Sequence, residues 1–204
     1  MTAKEEDILS SRTLIRKGVV LDRLLQSVLV DKNINPDDLL IGDKNALIVA
    51  VRVTGYGSEY ATNVTCPVCN NIADHVFDLE DNEINSGDNF GDFDLKKTDD
   101  GTFVVKTPAS EANIEFRLLI GQDEKAFVKI EANRKKHNLP ESSLSDQLRA
   151  MIVSVNGNSD PTYIQSFIEH ASAKDSSCVR KAYLQVNPNI DLSQLYDCSG
   201  CGFT

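Results

Sequence analysis

The apolar positions at the start of the chain follow a helical period. Between residues 8 and 30 they recur every three or four residues, which predicts one long amphipathic helix. Its apolar side holds Leu14, Leu21, Leu25 and Val28, with Gly18 among them. Three arginines lie on the opposite side of this predicted helix: Arg12, Arg16 and Arg23. They form either a docking face for an acidic partner or, as is more common, a solvated face.

Helical patterns return twice later in the chain. Asp43 can cap a helix over residues 46–51 that ends near Gly55, although the β-branched residues there would also suit a buried strand. After Gly121 the pattern is mainly helical, with acidic residues at the start and basic residues at the end of the first helix. The four helices predicted in this part cover residues 122–137, 143–155, 161–168 and 173–186.

Alternating apolar and polar residues predict strands between the two helical regions. Residues 59–65 and 73–79 alternate on either side of a cysteine-containing turn and indicate a β-hairpin. A small antiparallel sheet is predicted from residues 93–97, 103–105 and 114–118, with Asp100-Gly101 as a two-residue turn. The acidic stretch 80–100 does not match the ligand spacing of an EF-hand, so we interpret it as a solvated connection.

Four of the five cysteines form two Cys-x-x-Cys pairs, Cys66 with Cys69 and Cys198 with Cys201. Two such turns facing each other offer four thiolates to a tetrahedral metal ion, so we expect one structural zinc per chain. Ordinary ribbons separate their pairs by roughly 15 to 20 residues, far fewer than in this chain, so separate thiols or disulfides stay open as alternatives. The fifth cysteine, Cys178, lies in a helical pattern and is interpreted as a small buried residue.

Composition narrows the classes of function. A formal net charge of -10 argues against binding a phosphate backbone, because that affinity comes from clustered lysine and arginine. The N-terminus lacks the basic and apolar parts of a signal peptide, and no apolar run is long enough to span a bilayer. The protein is therefore expected to lie in a reducing cytoplasm. The sequence contains no phosphate-binding loop, His-Glu-x-x-His pair or Gly-x-Ser-x-Gly elbow, so neither an enzyme nor a small-molecule substrate is expected.

These patterns predict an α+β fold, in which a zinc-ribbon-like β-hairpin is joined to a small antiparallel sheet and a mainly helical insertion. The predicted segments are an N-terminal helical segment (1–57), two halves of a zinc ribbon (58–79 and 196–204), an acidic linker with a small β-sheet (80–120) and a helical bundle (121–195). The second half of a ribbon normally continues into a return strand. Because the sequence stops at Thr204, we expect either a minimal second half or a missing C-terminal tail.

Several stretches of the sequence resemble one protein family over nearly the full length. They are residues 8–12, 41–47 and 55–60 and the two Cys-x-x-Cys pairs. Taken together they resemble the baseplate hub assembly proteins of T-even-like contractile-tailed bacteriophages. The resemblance implies a structural or assembly role without catalytic residues, and other phage hub or tail proteins as partners. It places the protein in the host cytoplasm during assembly or in the tail baseplate of the virion.

A zinc-ribbon nucleic-acid or transcription adaptor is the alternative function. Such an adaptor would need a basic face near its cysteines. Residues 60–80 and 190–204 contain no lysine or arginine, which tells against this alternative.

Overall fold

The computed structural model describes residues 1–88, 90, 93–137, 140 and 142–203. The chain forms two units, each assembled from separate stretches of sequence. Unit 1 consists of Met1–Asn35, Asp43–Ile84 and Asn189–Thr204, and unit 2 consists of Pro36–Gly42 and Asn85–Pro188. Helices and small antiparallel sheets are both present, so the predicted α+β class is confirmed.

Helices open the chain, strands occupy its middle, and helices dominate again towards the end. The first helices are α1 (Ala3–Ser10), α2 (Arg12–Arg16), α3 (Val20–Val28) and α4 (Ile41–Tyr56). The strands that follow are β1 (Glu59–Thr65), β2 (Ile72–Asp78), β3 (Glu83–Asn85), β4 (Leu95–Lys97), β5 (Phe103–Lys106) and β6 (Asn113–Phe116). The remaining elements are α5 (Gly121–Lys136), α6 (Ser143–Met151), β7 (Ile152–Val155), α7 (Pro161–His170), α8 (Ala173–Val186) and β8 (Asn189–Asp191).

The N-terminal region folds as three short helices, so the predicted single helix over residues 8–30 is wrong. The side chain of Ser11 accepts a hydrogen bond from the amide of Leu14 and thereby caps α2. Gly18 ends α2 with a φ of +67°, and the amide of Val19 donates to the carbonyl of Leu14 at 3.1 Å, as in a Schellman motif. The apolar period runs through both breaks, but these local caps decide where each helix stops.

A buried carboxylate links α1 to α3. Glu5 accepts hydrogen bonds from the hydroxyl of Ser27 at 2.6 Å and from the amide of Thr2 at 2.8 Å. These bonds, with Ser27 contributing most, lower the pKa of Glu5 to about 2. The charged form of Glu5 is therefore part of the packing between the two helices.

Unit 1 buries few apolar side chains. Among the residues that the structure describes, its fully buried apolar side chains are Leu24, Leu25, Cys66 and Cys198. Two of the four are cysteines. A unit with so small an apolar core is of the kind that usually needs a metal or another covalent or coordinate link to be stable.

The apolar core of unit 2 surrounds a four-stranded antiparallel sheet in the order β4-β5-β6-β7. Its strands β4, β5 and β6 fall where strands were predicted, although β4 begins at Leu95, two residues later than expected. The predicted acidic connection 80–100 contains the short strand β3, and its residues 89, 91 and 92 lie outside the described residues. The turn between β4 and β5 is longer than the two residues expected. Thr98 and Thr102 still pair, and Asp99, Asp100 and Gly101 form the loop between them.

The helix predicted over residues 143–155 is only partly correct. α6 ends at Met151, and the β-branched residues that follow form β7, which pairs with β6 through Ile114 and Val155. The other helices confirm the prediction. Asp160 caps α7 by accepting from the amide of Thr162 at 2.7 Å. Within the described residues, no helix combines the length and the apolar character needed to cross a membrane.

Candidate metal centre

The first cysteine pair lies at the tip of the hairpin formed by β1 and β2, as predicted. We call residues 66–71 knuckle 1. The amide of Cys66 donates to the carbonyl of Asn71 at 2.9 Å, and the amide of Asn70 donates back to the carbonyl of Cys66 at 3.0 Å. Asn70 has a φ of +56°, a left-handed conformation that asparagine tolerates better than most residues. The chain therefore reverses direction within six residues and places both thiols on the same side.

Residues 198–203, which we call knuckle 2, have the same backbone hydrogen bonds. The amide of Cys198 donates to the carbonyl of Phe203 at 2.9 Å, and the amide of Gly202 donates to the carbonyl of Cys198 at 2.8 Å. Gly202 has a φ of +68° and takes the position that Asn70 holds in knuckle 1. The two knuckles are therefore built alike, although their sequences share little besides the cysteines.

The fold brings all four predicted cysteines together. The Sγ atoms of Cys66 and Cys201 are 3.7 Å apart, and those of Cys69 and Cys198 are 3.6 Å apart. All four sulfurs lie within 4.8 Å of one another, and each is a free thiol. A tetrahedral ion with Zn–S bonds of about 2.3 Å would separate its sulfurs by about 3.8 Å. The donor set and its spacing therefore fit one metal ion that is soft enough for thiolates.

Backbone amides favour the thiolate form on each knuckle. Hydrogen bonds from Gly200 and Cys201 lower the pKa of Cys198, and hydrogen bonds from Cys69 and Val68 lower the pKa of Cys66. The amide of Phe203 acts in the same direction on Cys201, but the neighbouring sulfurs, Cys69 first, and burial together raise its pKa. Four thiolates this close repel one another, and a bound cation would remove that penalty.

Three aromatic rings of unit 1 connect the second strand of the hairpin to the C-terminal segment. The rings of His75 and Phe77 meet edge to face at 4.4 Å, so both side chains lie on the same face of the hairpin. The ring of Tyr196 meets His75 at 5.1 Å. Sequence reasoning missed Tyr196, because no local pattern relates a residue of the C-terminal segment to the second strand of the hairpin.

Four cysteine ligands would complete a tetrahedral site and leave no open position for water or substrate. Such a site can hold two parts of a chain together but offers no coordination position for catalysis.

The T4 bacteriophage base plate protein family matches residues 1–204, which is the whole chain. The chain belongs to this family. Membership assigns this base plate protein a structural role in the phage tail. No curated protein and no solved structure matches the chain.

The three arginines predicted as a docking face are exposed in this base plate protein. Arg12 and Arg16 lie one turn apart on α2, whereas Arg23 lies on α3 and donates to the side chain of Gln26 at 3.2 Å. Because Gly18 separates the two helices, a shared helical face no longer follows from the sequence spacing. A docking role for these arginines stays a prediction.

Cys178 lies apart from the cluster. It is partly buried on α8 against the core of unit 2, and its thiol lies 3.9 Å from the carbonyl of Lys106. Burial raises the pKa of this thiol, so the protonated form is favoured. The side chain packs as the sequence predicted, although it is not fully buried.

Proposed function

We propose that this base plate protein is a non-enzymatic assembly protein of the tail baseplate hub, in which one structural zinc joins the two ends of the chain. The observation that carries the proposal is the cluster of Cys66, Cys69, Cys198 and Cys201 in a chain of a base plate family. Zinc is the metal of choice because four thiolates in tetrahedral spacing are its usual structural ligands.

The small apolar core of unit 1 supports a structural purpose for the metal. The hairpin and the C-terminal segment meet at the two knuckles. Two of the four cysteines, Cys66 and Cys198, make up half of the fully buried apolar residues described in this unit. Metal binding would then supply stability that side-chain packing does not. Loss of the metal should release the C-terminal segment from the hairpin.

The proposed partners are other hub or tail proteins of the phage, met in the host cytoplasm during assembly and retained in the tail baseplate. The family supports a tail partner, and the absence of lysine and arginine from residues 53–95 gives a nucleic-acid adaptor no phosphate-binding face near knuckle 1. Neither a nucleic acid, a membrane nor a small-molecule substrate is part of the proposal.

Two measurements test the proposal. Elemental analysis of protein purified without added metal should return close to one zinc per chain, and removal of the metal with a strong chelator should lower the melting temperature. A fully folded preparation without metal would refute the zinc centre. Quantitative mass spectrometry of purified virions, set against an assembling lysate, should find the protein with hub components. Its association with capsid intermediates instead would refute the baseplate role.

A further inference from the structure

A groove of about 620 Å³ runs across unit 1 between α4, the hairpin and the chain that precedes knuckle 2. Most of its lining is apolar. The apolar residues that line it are Ile48, Val49, Tyr60, Phe77, Leu79 and Leu192. A concave apolar surface with a few polar groups is the usual form of a binding site.

Large apolar side chains remain exposed at this groove. Tyr60 is 47% exposed and Leu192 is 55% exposed, and Leu195, three residues further along the chain, is 84% exposed. Contiguous exposed apolar residues on a surface mark interaction sites more often than chance. These side chains could each bury more area against a partner.

The wall formed by residues 192–194 is held in place by hydrogen bonds. The side-chain amide of Gln194 donates to the backbone carbonyl of Asp78 at 2.6 Å and to Oδ1 of Asn82 at 2.8 Å. The groove is therefore formed before any partner binds, which reduces the entropy lost on binding.

The hairpin and the C-terminal segment beside the groove carry negative charge. Residues 53–84 and 189–204, which supply the hairpin and the C-terminal segment of unit 1, contain eight carboxylates and no lysine or arginine. The eight are Glu59, Asp74, Asp78, Glu80, Asp81, Glu83, Asp191 and Asp197. Among them, Asp191 lines a neighbouring pocket that shares Ile48, Val49 and Leu192 with the groove. Glu59 and Asp78 pair on the face of the hairpin opposite Tyr60 and Phe77, so they contribute to the field around the groove and not to its lining.

Arg52 is the cation that lines the groove, and it is engaged within its own unit. Its guanidinium donates to the carbonyl of Gly57 at 2.6 Å and to the carbonyl of Glu59 at 2.9 Å. These bonds fix the connection between α4 and β1. Backbone carbonyls do not neutralise the guanidinium, but its single positive charge is outweighed by the eight carboxylates of the hairpin and the C-terminal segment.

We propose that the groove binds a basic segment of another phage tail protein, which inserts an apolar side chain between Tyr60 and Leu192 and places lysine or arginine beside Asp191. The proposal rests on the structural role proposed above and names the surface and the chemistry of the partner. An acidic or neutral segment would lose the electrostatic attraction. A second copy of the chain, with its own net charge of -10, is a poorer match than a basic protein.

Synthetic peptides test the chemistry on the full, metal-loaded chain. A fluorescent peptide of alternating lysine and leucine should bind about tenfold or more tightly than a glutamate-leucine peptide of equal length, and also more tightly than a lysine-serine peptide of equal charge. The affinity should fall as salt is raised from 50 to about 300 mM, because the carboxylates lie at the surface. Equal binding of all three peptides would overturn the proposal.

Matched variants locate the site. Leu192→Ser and Asp191→Asn should each weaken binding of the lysine-leucine peptide severalfold, whereas Leu184→Ser and Glu111→Gln, at exposed positions of unit 2, should not. Circular dichroism should show that all four variants remain folded, since the replaced side chains are exposed. The same loss in the unit 2 variants would mean that the peptide binds nonspecifically, and the proposal would fail.

A photo-crosslinking residue in place of Ser193, an exposed residue that lines the groove, identifies the natural occupant during phage infection. We expect the crosslinked peptide to come from another tail protein and to carry a net positive charge. A crosslink to a second copy of this chain, or to an acidic segment, would overturn the proposal. The zinc content and the presence in virions do not depend on this result, so the groove can fail while the proposed function stands.

Discussion

Asn71 of knuckle 1 lies against Gly200 of knuckle 2. A β-carbon at Gly200 would meet the Cβ and the side-chain amide nitrogen of Asn71 at 3.3 Å, closer than side chains normally approach. The two knuckles are thus in direct contact at a position where one has no side chain. A side chain at position 200 would therefore require Asn71 to move.

Gly200→Ala should therefore weaken the metal centre. The added methyl group pushes the knuckles apart and should cost roughly 1 kcal/mol of unfolding free energy, at the low end for overpacking. Chelator competition should show a correspondingly lower zinc affinity. Asn71→Ala removes the amide that the new methyl group meets, so the double variant should recover part of the loss. If the double variant loses as much as the two single variants together, the contact does not limit the site.

Gly202 should tolerate asparagine better than alanine. Its φ of +68° costs an ordinary residue roughly 1 to 2 kcal/mol, whereas asparagine already holds the equivalent position at Asn70. Thermal unfolding with zinc bound should place Gly202→Asn close to the wild type and Gly202→Ala clearly below it. The same melting temperature for both variants would contradict the structural equivalence of the two knuckles.

Loss of one ligand should affect the two units differently. Cys198→Ser removes a thiolate from the cluster in unit 1, where apolar packing is sparse, but leaves the apolar core of unit 2 intact. We expect a lower melting temperature and faster amide hydrogen exchange in the strands β1 and β2 and in knuckle 2. Protection in residues 121–187 should persist. Cys178→Ser is the matched control and should leave the zinc content unchanged. Complete unfolding by Cys198→Ser would show that unit 2 depends on the metal.

The lowered pKa of Glu5 predicts that the free energy of unfolding depends on pH. Its pKa is lowered from 4.5 to about 2 in the folded chain, so the charged form adds stability above pH 4.5, and this stability is lost as the pH falls towards 2. Glu5→Gln should be less stable than the wild type at pH 7, and the difference should shrink below pH 4.5. Urea unfolding at several pH values measures it. The titration of the cysteine cluster is common to both proteins and cancels in the difference. Glu6→Gln, at an exposed neighbouring position, should show no such trend.

The sequence was sufficient where short-range chemistry determines the structure. The hairpin turn at Cys66 and Cys69, the alternation of β1 and β2 and the start of α7 at Pro161 each depend on a few neighbouring residues, and each is confirmed. Gly18 also carries a local signal, because a glycine after a lysine often ends a helix. The available caps at Ser11 and Gly18 outweigh the apolar period on which the single long helix was predicted.

Contacts between distant parts of the chain determine the features that the local sequence pattern did not predict. Leu148, Met151, Ile152 and Val155 fit the period of a helix, but Ile152 and Val155 pair with β6 and complete the sheet. The groove could not be predicted from the sequence either, since Ile48, Phe77 and Leu192 come from distant parts of the chain. Only the fold shows that these side chains share one surface.

The exposed arginines lead to the prediction that is most specific for assembly. Arg12 and Arg16 lie on α2 and Arg23 on α3, and all three are exposed in a chain whose net charge is negative. A local positive surface on an acidic protein can orient docking onto an acidic partner. Arg16→Glu together with Arg23→Glu should shift the unfolding free energy by less than about 0.5 kcal/mol, as for most surface changes. Co-purification with hub proteins should nevertheless weaken, and more strongly at low salt.

The control for this experiment makes the same change in net charge elsewhere. Lys129→Glu with Lys136→Glu alters two exposed positions of α5, so it reproduces the global charge without touching α2 or α3. If the control pair weakens co-purification equally, net charge and not a docking face is responsible. If the arginine pair has no effect at physiological salt, the three arginines belong to an ordinary solvated surface. A loss of folding in the arginine pair would show that these side chains are paired within the chain, because only lost internal contacts would make an exposed charge reversal so costly.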